Sequence, residues 1–195
     1  MQRGMWPNMP ILGVIASAKP RSNALSGFVG IDSYTFANSS LNTITFSNID
    51  QGYKHLFIVY QAWGTVNDGT RLRFNNDSGT NNYLAAGGMG AYGNSFYTSV
   101  PTLANGITDA FNLLGGTYGS TQSSTGYGYI NDYSKNNKIK SITALCSNFN
   151  SSNEGGIALQ TGARIADNAP ISSITFVART GNFNTGSKIA LFGVN

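Results

Sequence analysis

The sequence predicts an all-β protein, an antiparallel sandwich of about ten strands behind an extended N-terminal arm. Three observations predict it. Gly, Asn, Ser and Thr supply 85 of the 195 residues, and Glu occurs once, at Glu154. Residues of these four types disfavour helix interiors, so a helical bundle is excluded and long crossover helices are not expected. The apolar share is 41%, with ten Tyr and eleven Phe, which is too rich for disorder. From residue 28 onward, short apolar runs recur between Gly, Asn, Ser and Asp punctuation, as strands separated by tight turns do.

Residues 1–27 form the arm and its linker, and residues 28–195 the sandwich. The opening MQRGMWPNMPILGVIASA imitates a signal peptide, with Arg3, an apolar run and Ala16-Ser17-Ala18. The run from Ile11 to Ala16 is too short for the apolar region of such a peptide, and Pro7, Pro10 and Gly13 interrupt any helix. It is also far below the roughly 20 residues of a membrane span. Neither secretion by this route nor membrane insertion is therefore expected. A segment carrying Met5, Trp6, Met9, Ile11, Leu12, Val14 and Ile15 between such breaks builds no core by itself. It reads as an arm lying on a neighbouring subunit, ahead of an edge strand on its own sandwich. Residues 19–27, KPRSNALSG, read as a polar linker.

In residues 41–49, Ile44 and Phe46 alternate with Thr43 and Thr45, the pattern of a half-buried strand. Residues 55–63 are apolar on both faces, as a central strand covered twice would be. Arg71 to Phe74 alternate, with the arginines outward, and are expected to pair with 82–86 across the Asn75–Asn81 turn. Further strands are expected near 107–114, 125–133 and 138–149. In 156–165, Ile157, Leu159, Thr161, Ala163 and Ile165 are the expected inward set. Residues 172–178 place Ile174, Phe176 and Ala178 on one face, and 187–194 are apolar on both. Such spacing suits a sandwich or barrel, and no fixed-period repeat points to a solenoid or propeller.

The net charge of +4 and pI near 9.2 invite a nucleic-acid reading. The twelve basic residues are scattered, however, and the densest run is Lys135, Lys138 and Lys140. Phosphate binding needs them clustered on one face, so no nucleic-acid partner is expected. Charged residues make up 10% of the chain, against roughly 25% in an average domain. A surface so poor in charge suits permanent assembly.

Chemistry finds little footing. Cys146 is alone and follows the apolar pattern of Ile142 and Ala144, as a small buried hydrophobe would. The single histidine, His55, heads a strand, and one His with one Cys makes no tetrahedral metal site unaided. The acids Asp32, Asp50, Asp68, Asp77, Asp109, Asp132, Glu154 and Asp167 sit mostly in turn-like contexts. None forms the paired carboxylates of a glycosidase. The 75–82 segment NNDSGTNN is dense in Asn and Asp but lacks the ligand pattern of an EF-hand, and reads as a tight hairpin loop ahead of a calcium loop. There is no nucleophile elbow and no phosphate loop. No enzyme activity, cofactor or metal is expected. The stretch from Asn75 to Gly128 is the least regular and carries Tyr83, Tyr92, Phe96, Tyr97, Tyr118 and Tyr127. Aromatic rings among Ser, Gly and Asn suit adaptable binding, so these six are candidates for a glycan or partner surface.

Several segments together resemble small β-sandwich virion proteins of tailed bacteriophages. Ile49-Asp50-Gln51-Gly52-Tyr53-Lys54-His55-Leu56 resembles their I-P-x-x-Y-K-H-L strand start. The run from Arg73 to Tyr83 is similar to their R-F-N-G-D-S-G-x-N-Y hairpin. The stretch Gly181 to Ser187 with Ala190 to Val194 is similar to their G-N-F-x-x-G-S-x-x-x-L-Y-G-I terminus. Pro10 to Ser17 matches a common opening. The departures are Asp50 for proline, Asn76 for glycine and Phe192 for tyrosine. The resemblance implies a structural role on the virion exterior, in capsid decoration (cement) or in the tail and its fibres, with no catalytic residues.

The chain is therefore expected to be a jelly-roll-like sandwich assembled as a homo-oligomer, for which a trimer is one suitable form. Its partners would be copies of itself and major capsid or tail proteins. Met5, Trp6, Ile11, Leu12, Val14 and Ile15 would supply the assembly arm. The alternative is a carbohydrate-binding, host-recognition module using the aromatic loops between 83 and 127.

Overall fold

The computed structural model describes residues 27–65, 70–79, 82–92, 95–99, 111–112, 124–149, 155–178 and 180–195. The described residues hold twelve strands and no helix. In chain order these are β1 (Phe28–Thr35), β2 (Thr43–Phe46), β3 (His55–Ala62), β4 (Thr70–Phe74), β5 (Tyr83–Tyr92) and β6 (Ser95–Ser99). There follow β7 (Phe111–Asn112), β8 (Ser124–Ile130), β9 (Lys140–Phe149), β10 (Gly155–Arg164), β11 (Ile174–Ala178) and β12 (Lys188–Val194).

The turn-rich composition works where the chain reverses. Asn48, Asn75, Asn76 and Asp132 all take left-handed backbone angles, with φ between 45° and 56°. Asn and Asp tolerate that region because their short polar side chains bond nearby backbone. Aspartates at other turns bond the backbone two residues on. The carboxylates of Asp50, Asp77 and Asp167 accept the amides of Gly52, Gly79 and Ala169 at 2.8–3.0 Å.

The large sheet has the order β1-β12-β3-β8-β9-β10-β5-β6, and the small one β2-β11-β4-β7. All pairings are antiparallel. Set aside the neighbouring strands β5–β6 and β9–β10, and the other eight nest as pairs: β1 with β12, β2 with β11, β3 with β8, β4 with β7. That is one long hairpin rolled into two four-stranded sheets, the jelly roll. The two inserted pairs then widen one sheet only.

The inner faces meet in one core. Leu56, Ile58 and Tyr60 of β3, Ile142 and Cys146 of β9, and Ile189 and Leu191 of β12 face Phe46, Leu72, Phe74, Ile174 and Phe176 of the small sheet. Cys146 is buried, as its pattern predicts. Phe46 and Phe176 meet edge to face at 5.9 Å, a favoured aromatic arrangement.

Two local expectations are corrected. Residues 71–74 do not pair with 82–86. β4 lies in the small sheet beside β11 and β7, while β5 lies in the large sheet beside β10 and β6. The intervening turn changes sheets because Tyr83 is buried and its hydroxyl accepts the Phe74 amide at 3.1 Å. In β10 the inward set is reversed: Ile157, Leu159 and Ile165 are exposed, whereas Arg164 is buried. Arg164 faces inward because its guanidinium donates to Asp77 at 2.8 Å and to both oxygens of Asp167. Since side chains alternate across a strand, fixing Arg164 inside sends Ile157 and Leu159 outside.

Lys140 is likewise buried at the start of β9. Its ammonium donates to the carbonyls of Lys135, Lys138 and Asn168. The densest basic run in the sequence therefore turns one of its three cations inward, and Lys138 lies 3.9 Å from Asp132.

Candidate functional site

β3 is apolar on both faces, as the sequence predicts, but its second face lies open. Leu56, Ile58, Tyr60 and Ala62 point into the core, while Phe57 and Val59 point outward, and Val59 is 41% exposed. Antiparallel sandwiches ordinarily present a polar outer face to water. Here the register assembles an apolar one.

Paired residues share a face, so the ladders define rows across six strands, β1-β12-β3-β8-β9-β10. The middle row runs Ser33, Ala190, Val59, Tyr127, Leu145, Leu159. On one side lies an aromatic row containing Phe192, Phe57 and Tyr129. On the other lies a mainly polar row: Thr35, Lys188, Gln61, Thr125, Ser147 and, at its end, Ile157.

The polar row, most of the middle row and Phe57 line an open trough of about 820 Å3. Tyr127 is 45% and Ile157 56% exposed. Phe57 holds Tyr127 nearly parallel, with ring centres 5.6 Å apart and 29° between planes. Phe28 meets the other side of Phe57 edge-on at 5.0 Å. The bond between the Thr125 and Ser147 hydroxyls, 3.0 Å long, closes the polar row between β8 and β9. Tyr127 can stand here because β8 alternates it with Gly126 and Gly128. A side chain at Gly126 would strike the Tyr60 ring and the Leu145 carbonyl beneath.

Lys188 is the one formal charge in the trough lining. Among the described residues, no three of His, Cys, Asp and Glu gather in one place. The Asp77 carboxylate is engaged by the Gly79 amide, the Asn82 side-chain amide and Arg164. Burial would raise its pKa, but those three donors hold it below the usual carboxylate range. His55 accepts the Asp132 amide at 3.1 Å through Nδ1 and packs on Tyr129, so it ties β3 to the turn after β8. The geometry offers a broad, nearly neutral, adhesive surface.

Of the six aromatic candidates, the two whose side chains are described, Tyr83 and Tyr127, lie apart. Tyr127 stands in the trough. Tyr83 is a core residue, and its hydroxyl donates to the Asp77 carbonyl at 2.9 Å, so its ring is closed to any ligand. Tyr92 lies on β5 and Phe96 and Tyr97 on β6, three and four strands from β8. Those three side chains and all of Tyr118 lie outside the described residues, as do the arm residues Met5, Trp6, Ile11, Leu12, Val14 and Ile15. Phe28, Phe57, Val59, Leu145, Ile157 and Leu159 are the surface residues the sequence reading missed. The available signal was the doubly apolar pattern of 55–63 and 187–194 in a sheet of otherwise polar exterior.

The motifs of residues 49–56 and 181–194 meet in this architecture as scaffold. Gly193 passes under the Tyr53 ring, with no room for a side chain. Gly181 and Gly186 adopt φ of 67° and 86°. Between them Phe183 packs on Phe36 at 4.6 Å, and Asn184 bonds the Gly64 carbonyl. Compared with family models, curated proteins and solved structures, the chain matches none.

Proposed function

We propose that this chain is a structural protein of the exterior of a tailed-phage virion, assembling as a homo-oligomer through its large sheet and its N-terminal arm. The virion context rests on the motif resemblance. One observation carries the assembly reading: exposed Phe28, Val59, Tyr127, Ile157 and Leu159 all lie on the large sheet. Contiguous apolar surface of this kind marks association sites, and aliphatic side chains favour a protein partner over a sugar. The low charge of the whole chain removes the repulsion that keeps many proteins apart.

The test is the light-scattering mass of the full chain beside a Val59→Glu, Ile157→Glu variant. Both positions are exposed in the single chain, so the fold should survive. Burying unpaired carboxylates costs about 3 kcal/mol or more, on the order of a 100-fold loss of affinity. The expected outcome is an oligomer for the natural chain and a monomer for the variant. A monomeric natural chain, or an oligomer indifferent to the variant, would overturn the reading.

A second reading, glycan binding, is favoured by one observation: Tyr127 presents its ring beside Gln61, Thr125 and Ser147. A ring stacked on a sugar face beside hydroxyl and amide partners needs no charge. It predicts glycan-array signal on the full chain that disappears in Tyr127→Ala. A flat array removes it.

A further inference from the structure

We infer that residues 5–15 of a neighbouring copy occupy the trough, so that the arm and the open sheet face are the two halves of one contact. The inference rests on the assembly reading and names the occupant of its surface.

Four observations converge. The first is chemical match. Residues 5–18 contain no Asp, Glu, Lys or Arg, yet carry Trp6, Met9, Ile11, Leu12, Val14 and Ile15. The trough is equally neutral, with Lys188 its one charged side chain. A partner bringing cations, or more than one acid, would leave charges unpaired there, whereas this segment brings none.

The second is shape. The trough crosses six strands, or about 24 Å at the usual strand spacing. Pro7 and Pro10 favour an extended chain of ~3.1 Å per residue, so about eight residues span it. They also lack the amide a strand ladder needs, which suits lying across a sheet face better than joining its edge. A chain of this kind has three residues per turn, so Trp6, Met9, Leu12 and Ile15 share one side and can insert beside Val59 and Leu145.

The third is connection. Chain outside the described residues runs into β1 at Gly27. Residues 16–27 reach up to ~40 Å when extended, enough to bridge adjacent molecules. β1 begins at Phe28, while the polar row of the trough lies at its far end, beside Thr35. Filling its own trough would require the arm to turn back along the whole of β1.

The fourth is the sequence of the sheet itself. β3 and β12 have the doubly apolar pattern of strands covered on both faces, and nothing described covers the outer one.

The experiment places a photo-crosslinking phenylalanine analogue at position 59 of the full chain, and at exposed Thr43 of the small sheet as a control. Equal amounts of ordinary and 15N-labelled protein are assembled together. Mass is measured first, and cross-linked peptides are then identified. The expected result is an oligomer in which position 59 captures the tryptic peptide 4–21, in mixed-isotope pairs and severalfold more than position 43 does. An oligomer in which position 59 captures sandwich peptides overturns the inference and leaves the assembly reading standing. Capture of 4–21 in same-isotope pairs only, in a monomer, overturns both the neighbour's arm and the assembly reading. Equal capture from positions 43 and 59 also overturns the inference.

Discussion

Gly193 shows what a single position contributes. It sits in β12 opposite Leu56 on the core side, and a Cβ there would press into the Tyr53 ring near its root. The ring cannot swing clear by a small rotamer change at that depth. Gly193→Ala is expected to cost roughly 1–3 kcal/mol, as overpacked cores do. Gly30, on β1, has open space where its Cβ would be. Gly30→Ala should stay within about 0.5 kcal/mol of the natural chain. Urea unfolding of the two variants checks the contrast, and equal losses would place the constraint elsewhere. Tyr53 and Gly193 are far apart in the chain, and the ring packs against β12 only because the glycine leaves room for it.

At the scale of elements, the turn between β4 and β5 and the end of β10 form one clamp. The Asp167 carboxyl is held low first by its bonds to Arg164, then by the Ala169 amide. Asp77 is held low against the opposing effect of burial, by Gly79, Asn82 and Arg164. A carboxylate whose pKa is lowered on folding contributes stability that is complete above the unfolded value of 3.8 and disappears as pH falls through the folded one. Stability should therefore be level from about pH 7 to about pH 5 and fall steeply below about pH 4. An Asp77→Asn, Asp167→Asn variant should be less stable at neutral pH and show a shallower acid limb. Thermal melts across that range decide it, and an unchanged acid limb would assign the effect to other acids. The chain has only eight Asp and Glu, so these two carry a large share of it.

The same clamp explains what sequence reading could and could not reach. Strand 43–46 was legible from alternation, and 55–62 and 188–194 from runs apolar on both faces. The faces of β10 were not. Ile157, Leu159, Thr161 and Ala163 look like a buried set until Arg164 is known to be fixed inside by two carboxylates, one of them 87 residues away. Lys140 misleads in the same way, as a surface cation by type and a buried one by its three carbonyl partners. The hairpin expected across residues 75–81 failed because Tyr83 reaches back to Phe74 from the opposite sheet. In each case a specific polar contact overrode the local hydrophobic pattern. The trough followed from those reversals, since it is built partly from the side chains that β10 turns outward.

Across the whole molecule, the jelly roll explains why the two sheets differ in width. Nested pairing closes four strands over four, and β9, β10, β5 and β6 extend one sheet beyond that frame. Sequence spacing indicated a sandwich, but not which sheet would grow. The extension matters for the proposed contact, because β9 and β10 supply Leu145, Leu159 and Ile157 to the rows begun by β12, β3 and β8. An unextended eight-stranded roll would carry roughly two thirds of this surface.

The pairing of Phe28 with Val194 has a mechanical consequence. Among the described residues β1 is an edge strand with a single hydrogen-bonded neighbour, and the N-terminal segment joins it at the Phe28 end. Tension on that segment is therefore delivered to one rung at a time, peeling β1 from β12 in sequence from Val194 toward Lys188. The same force spread across the six strands under the trough would have to shear many bonds together. Under such tension β1 would yield first, as a fuse that lengthens the tether while β12, β3 and the core beneath them stay closed.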